Sequence, residues 1–433
     1  MRRTYLQFLK YFVKNPRTPV QLIHFITSRC NAKCGHCFYW SQLNTKGELS
    51  REEIDKLTRN LPDLVILNIS GGEPFIRADF AEVIKTYYRN TPVKEVTVPT
   101  NGTFTEKMRK DCIDILQNCP GLELNVVVSL DGLEKIHDEI RQVKDCYKTA
   151  KKSFLMLKGL KEQYPHLQVS VVSTLTSLNQ DTVEEFHQEV NTHWQPDIFG
   201  MNLIRGEAKK MNLFGVNLKN YKKFFALQSK SRKRGIKSLV RDAMNKLRTG
   251  ANIRMVEEKK MVVPCQAGNL MGVMYEKGDV YPCELLNGRP LGNVREFDYD
   301  FRKLWASERN RAAGKFINES KCYCTHECFQ RFNIIYRPSF VLAQFFASLF
   351  GKSKIINSLS PNQKSTKMDS GKDLAHHGPD LIQLGKMRGV RVNRESPLEQ
   401  SGHDVSDLPD SKSSGVQENK STNSPAEEVW ANR

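Results

Sequence analysis

The chain has 433 residues, enough for one large domain with an appendage or for two domains. Hydrophobic residues make up 39%, which fits a globular core diluted by a polar segment. No apolar run approaches the roughly 20 residues needed to cross a bilayer. The formal charge of +18 is local: residues 1–20 hold five basic groups and no acid, and residues 208–261 hold 16 Lys and Arg against Asp242, Glu257 and Glu258.

The N-terminus, "MRRTYLQFLKYFVKNPR", is basic and amphipathic but lacks a long apolar stretch and a small-residue cleavage site, so no secretory signal is read. A cytoplasmic location is expected, with peripheral contact to the inner face of the membrane as an extension of it. The 11 cysteines sit mostly in tight clusters. In an unexported chain that pattern favours metal or redox-cofactor binding over a disulfide framework.

From residue 20 to 205, β-branched runs alternate with helical patterns. Strands are predicted at 21–27, 64–70, 93–100, 124–130, 167–175 and 197–204. Helices are predicted at 50–60, 79–89, 105–118, 147–163 and 181–191, the first opened by Ser50 with Glu53 as a capping box. Six strands alternating with helices imply a parallel sheet wound by right-handed βαβ units. Each strand runs straight into a polar or Gly-rich stretch. In order these are a cysteine cluster, "GGEP", "TNGT", "SLDG", "STLTSLN" and "NLIRG". In parallel α/β folds, sites form at the carboxyl ends of strands, so six such loops converge on one rim.

The first cluster, "CNAKCGHCFYW", holds Cys30, Cys34 and Cys37. A tetrahedral zinc would need a fourth ligand such as His36. A thioredoxin-like motif would use only Cys34 and Cys37. A 4Fe–4S cluster held by three thiolates would leave one iron open to a substrate or cofactor.

Cys-x3-Cys-x2-Cys after a first strand, with "GGEP" after the second, resembles the radical S-adenosylmethionine (SAM) superfamily over roughly residues 21–205. The resemblance implies a partial (βα)6 barrel, a catalytic 4Fe–4S cluster on Cys30, Cys34 and Cys37, and SAM as cofactor. It further implies that Gly71, Gly72, Glu73 and Pro74 meet the SAM amino group. Ser129 and Asp131 of "SLDG" would meet the ribose, Arg141 the carboxylate, and Asn101 and Ser173 would line the site. His36 becomes a neighbour of the cluster rather than a ligand. Phe38, Tyr39 and Trp40 either shield the cluster or pack in the core.

A second cysteine group comprises Cys265, Cys283, Cys322, Cys324 and Cys328. Cys265-x12-Gly278-x4-Cys283, with "YPC" ending a predicted hairpin, resembles the SPASM and twitch auxiliary-cluster extension. Five cysteines suffice for one cluster rather than two. The resemblance implies an auxiliary 4Fe–4S cluster on Cys265, Cys283 and two of Cys322, Cys324 and Cys328, with structural zinc as the alternative. Cys112, Cys119 and Cys146 are read as plain thiols.

The expected organisation is a basic amphipathic segment (1–20), a core (21–260) including the basic stretch 208–261, and a small auxiliary-cluster domain (262–330). An apolar amphipathic helix (331–350) and a disordered tail (351–433) follow. The expected activity is hydrogen abstraction from a substrate C–H, oxidising or cross-linking a peptide or protein side chain. An external donor such as flavodoxin or ferredoxin would supply electrons. Only 29 residues precede Cys30, so no N-terminal leader-peptide recognition domain is expected. The basic amphipathic stretches motivate an alternative, modification of a lipid or isoprenoid-type substrate at the membrane surface. A third reading, a non-enzymatic zinc-dependent RNA-binding protein, treats GGEP and SLDG as accidents; nucleic acid is therefore not expected as a partner.

Overall fold

The computed structural model describes Tyr11 and residues 15–231 and 236–349. Most of the basic N-terminal segment and the whole of 351–433 lie outside the described residues, as do the side chains of 232–242 in the basic stretch.

Six parallel strands carry the architecture: β1 (Gln21–Thr27), β2 (Ile66–Gly71), β3 (Glu95–Thr100), β4 (Glu123–Ser129), β5 (Leu167–Leu175) and β6 (Phe199–Leu203). Between them run α1 (Arg51–Thr58), α2 (Phe80–Asn90), α3 (Thr105–Asn118), α4 (Glu134–Arg141), α5 (Cys146–Leu160) and α6 (Val183–Glu189). The sheet order is β6-β5-β4-β3-β2-β1, and it continues past β1 into β7 (Met271–Met274), β8 (Asp279–Tyr281) and β9 (Gly292–Asn293). All seven residues of β1 are buried because it has a strand on each side and is covered on both faces.

The capping box at Ser50 forms: Glu53 N donates to Ser50 Oγ at 3.2 Å, and Ser50 N to Glu53 Oε2 at 2.8 Å. Leu22, Leu57, Phe75 and Phe80 fill the layer between sheet and helices with no measurable exposure, each contributing about 1.5–3 kcal/mol by transfer from water. Strand and helix positions follow the sequence reading closely, with two differences. Residues 134–141 form α4, an amphipathic helix of only eight residues that the sequence reading did not separate from the loop after β4. After α6, Val190–Trp194 widens into a π turn that buries Trp194.

The predicted hairpin is β7–β8, turning at Gly278 (φ +91°). It pairs parallel to β1 rather than building a sheet of its own, so the region carrying the later cysteines is grafted onto the edge of the parallel sheet. Beyond α7 (Leu218–Ser231), α8 (Ile236–Glu258), α9 (Phe301–Trp305) and α10 (Glu308–Glu319), the single helix expected over 331–350 is two. α11 (Glu327–Ile335) stops before Pro338, and α12 (Pro338–Leu349) starts on it. Proline lacks the N–H to continue a helix and disfavours a helical residue before it, yet suits a first turn. Among the described residues, no helix is long and apolar enough to cross a membrane.

Candidate active site

The loop after β1 is clamped by main-chain hydrogen bonds from three directions. Gly72 N donates to Thr27 O and Glu73 N to Arg29 O, both at 2.8 Å, joining it to the loop after β2. Gly35 N donates to Ile140 O at 2.9 Å and Lys33 N to Arg141 O at 3.3 Å, joining it to the end of α4. Lys210 N donates to Gly35 O at 2.8 Å and Lys209 N to Cys37 O at 3.1 Å, joining it to the loop after β6. The glycines of "GGEP" are required by this closeness. A Cβ on Gly71 would stand 2.2 Å from Thr27 O, and one on Gly72 2.1 Å from Arg29 O.

Cys30, Cys34 and Cys37 line one cavity of about 240 Å³ together with Gly71, Gly72, Glu73, Asn101, Ser129 and Arg141. Burial pushes the Cys30 thiol up to about 12 and Cys37 up to about 11, so ligation requires that the site pull protons off. Glu73 is a buried part of the cavity floor: its Oε1 accepts from Thr100 Oγ1 at 2.8 Å and its Oε2 from Asn101 N at 2.7 Å. Burial raises its pKa to about 7 against these donors. The carboxyl thus ties the loop after β2 to the loop after β3.

Arg141 reaches from α4 into the cavity. Its Nη1 lies 3.8 Å from Cys34 Sγ and its Nη2 2.7 Å from Asp131 Oδ2. Burial works against the Arg141 charge, but Asp131 and then Cys34 more than offset it. Asp131 is fully buried and does not line the cavity. Its Oδ1 accepts from Thr174 N at 2.8 Å, and its N–H donates to His137 Nδ1 at 3.0 Å. Burial, with Arg141 beside it, lowers His137 to about 3, keeping it neutral. The "SLDG…HDEIR" segment therefore works as a unit in which Asp131 and His137 aim Arg141. The structure places Asp131 behind the wall instead of on it, and the same holds for Pro74 and Ser173. Ser173 faces away from the cavity on β5, so its neighbour Thr174 takes the lining position.

Thr174, Asn202 and Arg205 line the cavity and escape the motif-based reading. Asn202 was legible only as an inward position on β6, and Arg205 only as the charged residue of "NLIRG". His36 lines the wall 3.8 Å from Asp131 Oδ2, lowered to about 4 by burial. His36 Nδ1 and Arg141 Nε are buried without a hydrogen-bond partner among the described residues. Two unsatisfied polar atoms on a cavity wall fit a polar ligand. Of the aromatics, Phe38 and Tyr39 both line the cavity, Tyr39 being otherwise buried and hydrogen-bonded to Glu276, and Trp40 is 46% exposed.

The later cysteines meet elsewhere. Cys265, Cys283, Cys322 and Cys324 line one small pocket of about 20 Å³ walled by Met255, Val263, Leu285, Leu286 and Ile317. Cys328 is not among them, and its electrostatic neighbours are Arg205, Glu284, Glu327 and Arg248. No group of three His, Cys, Asp or Glu among the described residues is set to hold a single metal ion. Between the two sites stands a buried chain: Arg205 Nη2 lies 3.6 Å from Glu284 Oε2, and His326 Nε2 2.6 Å from Glu284 Oε1. Burial opposes ionisation of Glu284, yet His326 and Arg205 hold its carboxyl down at about 2. Cys112 and Cys119 are buried and line neither site, whereas Cys146 is buried behind the first, its Sγ 4.0 Å from Asn101 O.

Residues 25–191 match the radical SAM superfamily domain. Over 83 residues the chain is 39% identical to a probable GTP 3′,8-cyclase of Methanothermobacter thermautotrophicus, covering 19% of this chain and 27% of that protein. Over 142 residues it is 32% identical to the antilisterial bacteriocin subtilosin biosynthesis protein AlbA of Bacillus subtilis, covering 32% and 30%. The chain thus spans under a third of the length of these curated relatives. In fold it is similar to anSMEcpe with bound AdoMet, at 18% identity and a TM-score of 0.51, covering 79% of this chain and 97% of that one. The non-enzymatic RNA-binding reading does not survive the domain match. Residues 25–191 thus form a radical SAM domain, of the superfamily whose cofactors are a 4Fe–4S cluster and SAM.

Proposed function

We propose that this protein oxidises or cross-links a side chain of a peptide or protein by radical chemistry. The observation that carries the proposal is the pairing of two thiol sets, one open and one closed, across the Arg205–Glu284–His326 chain. With its cofactors bound, the first site supplies a 5′-deoxyadenosyl radical, formed by one-electron cleavage of SAM, that takes hydrogen from a substrate C–H. Cys30, Cys34 and Cys37 hold the catalytic cluster. The Gly71–Gly72–Glu73 loop receives the SAM amino group, Arg141 its carboxylate and Ser129 its ribose. Cys265, Cys283, Cys322 and Cys324 would hold a second 4Fe–4S cluster, which would supply one-electron redox chemistry beside the first site; Cys328 is left outside it. The substrate occupies the space on the Arg205 and Asn202 side, shielded from water by Phe38 and the β6 loop. The part of AlbA in bacteriocin biosynthesis supports a peptide substrate.

The lipid alternative rests on amphipathic stretches that lie largely outside the described residues, and nothing in the described site favours it. To test the substrate class, the reduced protein is incubated anaerobically with SAM and a pool of peptides, and in parallel with GTP. Loss of two hydrogens from a peptide, matched by 5′-deoxyadenosine, is expected. Turnover of GTP without any peptide product would overturn the proposal.

A further inference from the structure

The loop that carries the three cysteines has an outside as well as an inside. Residues 29–46 contain Arg29, Lys33 and Lys46 and no acidic residue. Packed against them, the loop after β6 contributes Lys209 and Lys210, with Glu207 as the one acid between Arg205 and Phe214. Lys33, Lys209 and Lys210 are exposed, and none of them lines the cavity.

The Lys209 and Lys210 ammonium groups gather about the Lys33 main chain. Lys209 Nζ lies 3.4 Å from Lys33 O. Lys210 Nζ comes within 3.3 Å of the Gln142 amide oxygen, and the Gln142 amide nitrogen within 3.1 Å of the same Lys33 O, once that amide is turned to match its neighbours. Among the described residues none of the three ammonium groups forms an ion pair, whereas most other charged clusters on this surface are neutralised by carboxylates. Exposed cations without counterions give this face a positive potential that an anionic surface complements. The patch is also joined to the thiol site through the main chain. Lys209 N and Lys210 N donate to Cys37 O and Gly35 O, and the Lys209 charge is felt at the Cys37 thiol.

We infer that Lys33, Lys209 and Lys210 form the docking surface for an acidic one-electron donor protein that reduces the cluster through the outer wall of its loop. The inference rests on the reading that Cys30, Cys34 and Cys37 hold that cluster. The step balances without a proton: the donor loses one electron and the cluster gains it. Placing the entry point outside leaves the cavity free for SAM and substrate, so reduction and substrate binding do not compete for one opening.

The test uses the full chain with its clusters assembled and follows cluster bleaching by stopped-flow absorbance. A reduced acidic flavodoxin serves as the protein donor and dithionite as the small one. The Lys209→Glu/Lys210→Glu variant is expected to slow bimolecular reduction by flavodoxin about 10-fold or more at low salt. The gap should close as salt screens the patch, and reduction by dithionite should keep its rate. Lys209→Gln/Lys210→Gln should give an intermediate loss. A control pair on α10 and before it, Lys303→Glu/Lys315→Glu, should give none. Equal flavodoxin rates in the altered and unaltered chains would overturn the docking surface. So would a rise in KM for a peptide substrate with flavodoxin rates unchanged, which would assign the patch to the substrate. A chain that dithionite itself cannot bleach would overturn instead the cluster reading beneath the inference.

Discussion

The two thiol sites differ in the way that separates a working position from a closed one. Around Cys30, Cys34 and Cys37 the cavity is about 240 Å³ and lined by Glu73, Arg141, Asn101, Asn202 and Arg205. Around Cys265, Cys283, Cys322 and Cys324 it is about 20 Å³ and lined mainly by Leu, Ile, Met and Val. Three thiols in a polar chamber leave room for a ligand with charged ends. Four thiols in a largely apolar socket leave little room for a free ligand. The lesson is that the count of thiols and the polarity of the walls agree at each site.

The sharpest way to break that comparison is to count iron. After anaerobic reconstitution about eight irons per chain are expected, falling to about four in either Cys34→Ala or Cys324→Ala and staying near eight in Cys328→Ala. Iron lost with Cys328 and kept without Cys324 would redraw the second site; zinc in place of the second four irons would replace its cluster.

Next in size is Arg141. Arg141→Met removes the partner of a fully buried Asp131, so it should destabilise the fold by about 3–5 kcal/mol. It should also weaken SAM binding, readable by calorimetry. Arg141→Lys should recover stability better than SAM affinity, because the second wall contact depends on the guanidinium fork. If Arg141→Met unfolded at the same denaturant concentration as the native chain, the aiming role of Asp131 would be wrong.

Gly72→Ala should cost about 1–3 kcal/mol. Its methyl would be driven into a main-chain oxygen 2.1 Å away, so the loop has to move rather than a side chain. Matched unfolding curves check this, and the displaced loop should lower cluster occupancy in proportion.

The smallest effect lies at the seam joining the two regions. Arg295 Nε lies 2.6 Å from Glu53 Oε1, and Tyr299 OH donates to the same oxygen at 2.9 Å. The hydrogen bond from Arg295 is the largest cause holding Glu53 at about 2, below its ordinary 4.5. A lowered carboxyl stabilises the folded state above its unfolded value, and that contribution is lost as pH falls from about 4.5 through about 2. Because the pair is partly exposed, the loss is expected to stay under about 1 kcal/mol. Glu53→Gln should flatten this part of the stability profile, and an unchanged slope would show that the seam contributes nothing.

Much of this was legible in the sequence. The β1, β5 and α3 boundaries follow from apolar periodicity, because those elements are long and half or wholly buried. The order of cysteine loop, GGEP and SLDG placed three loops on one rim, because parallel strands bring their carboxyl ends together. What could not be read was side-chain direction. Asp131, two residues past Ser129, turns inward to hold Arg141, whereas Ser129 faces the cavity. Nor could spacing choose among Cys322, Cys324 and Cys328. That choice depends on α11, whose first turn carries Cys328 away toward Arg205. The graft of β7–β9 onto β1 was equally hidden, since a hairpin's sequence specifies its turn but not the sheet it joins.

The central claim, that the three-thiol cavity is the working site, is tested most directly by 5′-deoxyadenosine released from SAM by the reduced protein. The native chain and Cys324→Ala should both release it, and Cys34→Ala should release none. Release by Cys34→Ala at the native rate, or its absence from the native chain once the cluster is reduced, would contradict the account.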